Sequence, residues 1–222
     1  MKRLLSFLTV LLLLMPTTVD ASSTKVNNIG ITCQIDQNGT ATFVEKWDMD
    51  VSEGTEGYKI FNGMDDQPLT LIGVTDDRGV TYKNIGTWDS DVSRESKINK
   101  CGLIKDGGHY ELCFGLGDYG TRSYTMVYQI EHFVNQYKDQ QGINYAFISD
   151  MSLDVADVTI HVTGITPYSK ENAKIWAFGY SGSVNFDNGG VILKTDSLGS
   201  NKMQLLMGLE SNSYTSPNKR HA

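Results

Sequence analysis

The sequence predicts an all-β fold, a two-sheet antiparallel β-sandwich of immunoglobulin-like or jelly-roll-like kind, on three observations. Apolar residues recur with period two along most of the chain beyond residue 21. Turn residues punctuate these segments at short spacing. No stretch after the N-terminus carries the 3.6-residue period of a long amphipathic helix. Period two puts alternate side chains on opposite faces of a strand, so each such segment offers one apolar face to a core.

The segments follow in order. Ile29, Ile31, Cys33 and Ile35 alternate with Gly30, Thr32, Gln34 and Asp36, and Asn38-Gly39 marks a tight hairpin turn. Ala41, Phe43, Trp47 and Met49 then share a face. LTLIGV and VTYKNI flank Asp76-Asp77-Arg78-Gly79, a second hairpin signal. Tyr124, Met126, Tyr128 and Ile130 share a side, as do Val158, Ile160 and Val162. Trp176, Phe178 and Tyr180 align, the turn DNGG follows, and VILKTD and MQLLMGL close the series. EHFVNQYKDQQG fits a helical turn or a connecting loop.

The N-terminus has a different character. Lys2 and Arg3 precede an apolar run from Leu4 to Met15, Pro16 breaks it, and Val19-Asp20-Ala21 supplies small residues. Residues 1–21 therefore read as a cleaved secretory signal peptide, the run being shorter than the ~20 residues a membrane span needs. A single domain over residues 22–210 and a polar tail over 211–222 are expected, with no transmembrane helix in the mature chain and an extracytoplasmic location, secreted or envelope-associated.

Formal net charge is −7. An acidic surface repels phosphate backbones, so nucleic acid is not an expected partner, and anionic membrane surfaces are disfavoured likewise. In an oxidising compartment the three cysteines matter. Cys101 and Cys113 flank the turn KDGGH, and a hairpin there predicts a disulfide between them. Cys33 is left over on an apolar face as a small hydrophobe.

GLGDYG, Gly115–Gly120, matches the dinucleotide fingerprint G-x-G-x-x-G. The fingerprint works only where a helix follows, because the helix N-terminus holds the pyrophosphate. Here TRSYTMVYQI follows, a strand pattern, so GLGDYG reads as a turn. DMDVSEGTEG resembles a calcium loop, but Glu53 and Lys59 stand where an EF-hand needs glycine and a bidentate glutamate. An irregular calcium site from Asp48, Asp50, Glu53 and Glu56 competes with a solvated acidic strand end. His109, His132, His161 and His221 are scattered without zinc spacing, and no G-x-S-x-G elbow is present. No cofactor is expected. Asn38-Gly39-Thr40 also fits the N-glycosylation pattern, relevant only in a eukaryotic source.

Two charges fall on apolar faces: Glu45 beside Phe43, Trp47 and Met49, and Arg122 beside Tyr124, Met126 and Tyr128. Buried charges demand partners, so Glu45 and Arg122 are predicted to meet as a structural ion pair, or each to reach a strand-end pocket. The candidate binding loops are Trp47, Asp48, Glu53, Glu56 and Tyr58 in one segment, and Asp118 and Tyr119 in the Gly115–Arg122 turn.

EKWDMDVSEGTEGYKIF (45–61), GGHYELCFGLGDYGTRSYTMVYQI (107–130) and IWAFGYSGSVNFDNGGVIL (175–193) resemble, in order, segments of the bacterial DUF2207 family of predicted membrane proteins. The resemblance implies a β-rich N-terminal domain outside the cytoplasmic membrane, followed in that family by transmembrane helices. It implies no activity and no catalytic residues. This chain stops after the β-domain, which predicts a stand-alone secreted version or a shortened one.

The expected function is that of a non-enzymatic exported module binding a protein or glycan at the bacterial envelope. Two alternatives carry different chemistry. A carboxylate-based hydrolase of envelope polymers needs facing acids, for instance Glu45 with Glu53 or Asp118. A sensory or spacer role implies a membrane-protein partner.

Overall fold

The computed structural model describes residues 23–199, 201–215 and 218–219. The predicted leader, residues 1–21, lies outside them, as do residues 216–217 and 220–222 of the predicted tail.

Two long strands, β1 (Lys25–Ile35) and β2 (Ala41–Val51), form the first hairpin. They are followed by β3 (Glu56–Phe61), β4 (Leu69–Asp76) and β5 (Lys83–Thr87). A single helical turn, α1 (Arg94–Lys97), leads into β6 (Lys100–Asp106), β7 (His109–Gly115) and β8 (Gly120–Ile130). The remaining strands are β9 (Asn135–Gln136), β10 (Gln141–Ile148), β11 (Val155–Thr163), β12 (Ala173–Phe178), β13 (Ser183–Asp187), β14 (Gly190–Thr195), β15 (Met203–Leu209) and β16 (Asn218–Lys219).

The all-β prediction holds, with three sheets in place of two. A seven-stranded sheet has the order β13-β14-β11-β1-β2-β8-β4. A five-stranded sheet, β12-β15-β10-β9-β16, and a four-stranded sheet, β3-β7-β6-β5, share the second layer. One strand shows how. Phe43 of β2 meets Tyr145 and Phe147 of β10, whereas Trp47 of the same strand meets Phe114 of β7. The inward face of the large sheet is thus covered by both smaller sheets side by side.

The alternating pattern builds that face. Ala41, Phe43, Glu45, Trp47, Met49 and Val51 of β2 are buried, and so are Arg122, Tyr124, Met126, Tyr128 and Ile130 of β8. The register pairs Phe43 with Tyr128 and Trp47 with Tyr124. The Phe43 and Tyr128 rings stack with centroids 4.8 Å apart, an arrangement favoured beyond the area it buries.

Several expectations are corrected. The hairpin around Asp76–Gly79 closes with one isolated bridge, Thr75 to Thr81, after which the chain crosses to the second layer and β5 runs parallel to β6. Cys101, Cys113 and Cys33 are all free and buried. The β6–β7 hairpin exists, but its register pairs Cys101 with Phe114 and Cys113 with Gly102. The two cysteines therefore occupy adjacent rungs, and strand alternation sends their thiols to opposite faces. The predicted disulfide is not made. The start of the tail is anchored: Tyr214 is buried against the Tyr168 hydroxyl, and the Thr215 amide donates to the Gln37 carbonyl at 2.9 Å.

GLGDYG is the connection between β7 and β8. Gly115 is glycine because the Lys97 backbone carbonyl occupies the place of a Cβ, and Gly120 because its φ is +109°.

Candidate functional site

Glu45 and Lys59 meet where the three sheets come together. Glu45 has no exposed surface and Lys59 is 5% exposed. Lys59 Nζ donates to Glu45 Oε2 at 2.6 Å, to Oε1 at 2.9 Å and to the Phe147 carbonyl at 2.8 Å. The Trp47 indole and the Tyr128 hydroxyl donate to the same carboxylate, each at 2.7 Å. A carboxylate taken out of water needs such a set of donors. Burial first, and the adjacent Glu45 next, push the Tyr128 hydroxyl well above its ordinary range, so it remains a donor.

The predicted Glu45–Arg122 pair is therefore corrected. Both charges are buried and both are paired, but with other residues. Arg122 donates through Nη2 to Asp76 at 2.9 Å and through Nε to Asp77 at 2.8 Å. The β2–β8 register sets Arg122 opposite Met49 and Glu45 opposite Met126. That is four residues along the strands, roughly 13 Å, too far for contact.

Beside this junction lies a cleft of about 340 Å³. Trp47 and Met49 of β2 form its floor, Glu56, Tyr58 and Ile60 of β3 one wall, and Met151 and Leu153 of the β10–β11 loop the other. Acids stand around the apolar lining. Glu53 is exposed, Asp150 accepts a hydrogen bond from Asn62 at 2.9 Å, and Glu56 is paired with the buried Lys97. Asp150 is held at φ +53°, in the left-handed region that costs a non-glycine residue free energy. Gly57 has to be glycine, because a Cβ there would fall against the Phe114 ring.

The structure brings together Trp47, Glu53, Glu56 and Tyr58 in the wall and floor of the cleft. The other predicted binding residues lie elsewhere. Asp48 faces solvent on β2, where burial pushes its carboxyl up and hydrogen bonds from Lys46, Ser123 and Asn28 more than offset that, leaving it low. Asp118 is exposed and lowered by its hydrogen bond with Arg78, which lies 2.8 Å away. Tyr119 stacks under the Arg94 guanidinium and donates to the Gly54 carbonyl at 2.8 Å. Of the acids that a hydrolase would use, Glu53 lines the cleft, while Glu45 is sealed below it and Asp118 sits beside Arg78. Among the described residues no three His, Cys, Asp or Glu side chains are grouped to hold a metal ion. The β10–β11 loop was missed from sequence, although Met151 and Leu153 in the otherwise polar run SDMSLD are the signal: apolar side chains in a loop need a surface to cover.

The model of the DUF2207 family, described as the N-terminal domain of a predicted membrane protein, matches residues 25–203. No curated protein matches the chain. Among solved structures, a candidate protease from Parabacteroides distasonis aligns at 9% identity and a TM-score of 0.48 over 86% of this chain and 41% of that one. An M1 zinc metallopeptidase from Deinococcus radiodurans aligns at 10% identity and a TM-score of 0.43 over 84% and 42%. An aminopeptidase A from Legionella pneumophila aligns at 8% and 0.40 over 84% and 21%. The chain thus spans less than half the length of these solved chains, and at this identity they assign it no activity. No described helix is long and apolar enough to cross a membrane. On the match over residues 25–203, the chain belongs to the DUF2207 family, as its N-terminal domain.

Proposed function

We propose that the chain is an exported, non-enzymatic binding module at the bacterial cell envelope, and that the cleft beside the three-sheet junction receives an apolar side chain of an envelope protein. The observation that carries this reading is the cleft itself. Met49, Met151 and Leu153 line a hollow of about 340 Å³, large enough for a Leu- or Phe-sized group, over a floor fixed by the Trp47–Glu45 hydrogen bond. Burial of such a side chain stabilises a complex by about 1.5–3 kcal/mol, and the polar rim supplies orientation. The leader-like N-terminus supports the envelope location.

A photo-crosslinking residue at position 152, inside the cleft rim, tests the reading in cells, with one at Thr70, on exposed β4 surface, as control. The expected result is a discrete protein adduct from position 152, absent from position 70 and lost in Leu153→Asp protein that melts as the wild type does. Equal adducts from both positions, or an adduct indifferent to Leu153→Asp, contradict it.

A further inference from the structure

The second layer of the sandwich is open between β3 and β10. β3 is an edge strand, paired with β7 on one side and with no strand on the other among the described residues. β10 is paired with β15 along its length, but on its other side β9 takes only Gln141 and Gly142. From Ile143 to Ile148 that side carries no strand among the described residues. Side chains alone span the break. Lys59 Nζ reaches the Phe147 carbonyl at 2.8 Å, the Tyr58 hydroxyl reaches Ser152 Oγ at 3.3 Å, and Asn62 reaches Asp150 at 2.9 Å.

Two hollows lie along the break. The cleft occupies the Glu56 end of β3, and a second hollow of about 170 Å³ occupies the Phe61 end, between Ile60 and Phe61 on one side and Asn144 and Ala146 on the other. Ile60 lines both. The open strip therefore runs the length of β3.

An unpaired edge presents N–H and C=O groups to any extended chain, and proteins blunt such edges with proline, bulges or inward-pointing charge. β3 has six residues and no proline. Its protection is Lys59, whose ammonium points inward and is committed to Glu45. That charge is compensated inside the sandwich and leaves the outer backbone of β3 uncovered. The rim adds charge selection. Glu53 and Asp150 have no basic partner within ion-pair distance among the described residues, in contrast to Glu56, which has Lys97.

We propose that the partner enters as an extended strand, adding to the free edge of β3 in the break between the two smaller sheets, with an apolar side chain in the cleft and a lysine or arginine against Glu53 and Asp150. This rests on the reading of the cleft as a binding site and names the chemistry of its occupant. Main-chain hydrogen bonds supply the affinity of such strand addition, and the pockets for alternate side chains supply its selectivity. An acidic rim on a chain of net charge −7 favours a basic segment and repels an acidic one.

The test uses a short synthetic peptide alternating valine and lysine, the same peptide N-methylated at every residue so that neither edge keeps a donor, and a valine–glutamate version, titrated calorimetrically into the mature chain. N-methylation keeps the side chains and removes the donors, so about thirtyfold weaker binding is expected. The glutamate peptide is expected to bind about tenfold more weakly than the lysine peptide, and Glu53→Lys to reverse that preference. Equal binding of methylated and unmethylated peptides overturns strand addition and leaves the cleft reading to the adduct at position 152. No binding of any peptide at millimolar concentration also overturns it. A lysine preference unchanged in Glu53→Lys overturns the charge selection.

Discussion

Lys59 of β3 donates to both oxygens of Glu45 of β2 in a site closed to water, and the same ammonium reaches the Phe147 carbonyl of β10. One side chain thereby ties all three sheets together at the point where the second layer is open. A buried ion pair is weak evidence of net stability, because desolvation offsets much of its Coulomb energy. Its effect is positional: with Lys59 fixed, β3 stands at a set distance from β10 without pairing to it.

Removing one partner leaves the other charged and buried. Lys59→Met is expected to destabilise the fold by about 3–5 kcal/mol, and Glu45→Leu with Lys59→Met by clearly less, since the double change leaves no orphaned charge. Denaturant unfolding of the three proteins checks this. A double variant as unstable as the single one would show that the network contributes mainly through its neutral donors, Trp47 and Tyr128.

The three glycines of GLGDYG are predicted to differ. Gly115→Ala drives a Cβ into the Lys97 carbonyl and is expected to cost about 1–3 kcal/mol. Gly120→Ala meets a backbone at φ +109° and is expected to cost a similar amount, about 1–3 kcal/mol. Gly117 lies outside the left-handed φ region and a Cβ there would meet only Arg122 Nη1, at an unstrained 4.0 Å, so Gly117→Ala should stay within about 0.5 kcal/mol. Thermal melting points rank them. A costly Gly117→Ala contradicts the reading of this segment as a turn.

Acid stability depends in part on Arg122. Burial pushes the Asp77 carboxyl up, but its hydrogen bond and charge contact with Arg122 more than offset that and leave it below the ordinary range. A carboxyl whose folded pKa is depressed stabilises the fold fully above its unfolded value, about 3.9, and loses that stabilisation as pH falls through the lower folded value. The stability gap between wild type and Asp77→Asn should therefore narrow as pH drops below about 4. Urea midpoints across that range measure it, and a constant gap argues against the assignment.

The thiols should be silent in the native protein. Burial pushes Cys101 up to about 11, burial with help from Glu111 and Glu56 pushes Cys113 up to about 12, and burial raises Cys33 further. Thiolate is the reactive form, so a disulfide-exchange reagent at pH about 8 should find none of the three until the chain unfolds. A native mass lighter by two hydrogen atoms than the reduced mass, with the bridge mapped to Cys101 and Cys113, contradicts their adjacent-rung placement.

The inward faces of β2 and β8 were legible in the sequence because a half-buried strand must alternate, and Phe43, Trp47, Tyr124 and Tyr128 do. That Glu45 and Arg122 need partners was legible for the same reason. Who the partners are was not, since Lys59, Asp76 and Asp77 arrive through the register and the splitting of the second layer. Period two cannot say whether one sheet or two covers a face. The cleft was half legible: Trp47, Glu53, Glu56 and Tyr58 come from one continuous segment, whereas Asp150, Met151 and Leu153 join them from a loop roughly a hundred residues later, a long-range contact that no local pattern encodes. The misplaced disulfide shows the same limit, because a one-residue difference in register turns a thiol to the opposite face.

The most direct test of the central claim, that the second layer is open between β3 and β10, is residue-resolved amide hydrogen exchange of the free chain over residues 22–222. Among the described residues only the β7 side of β3 is paired, so its amides should alternate between protected and fast along Glu56–Phe61, and Ile143–Ala146 of β10, ahead of the bulge at Phe147, should alternate likewise. Uniform protection along both strands would mean that the break is closed in solution, with no free edge for a partner strand to join.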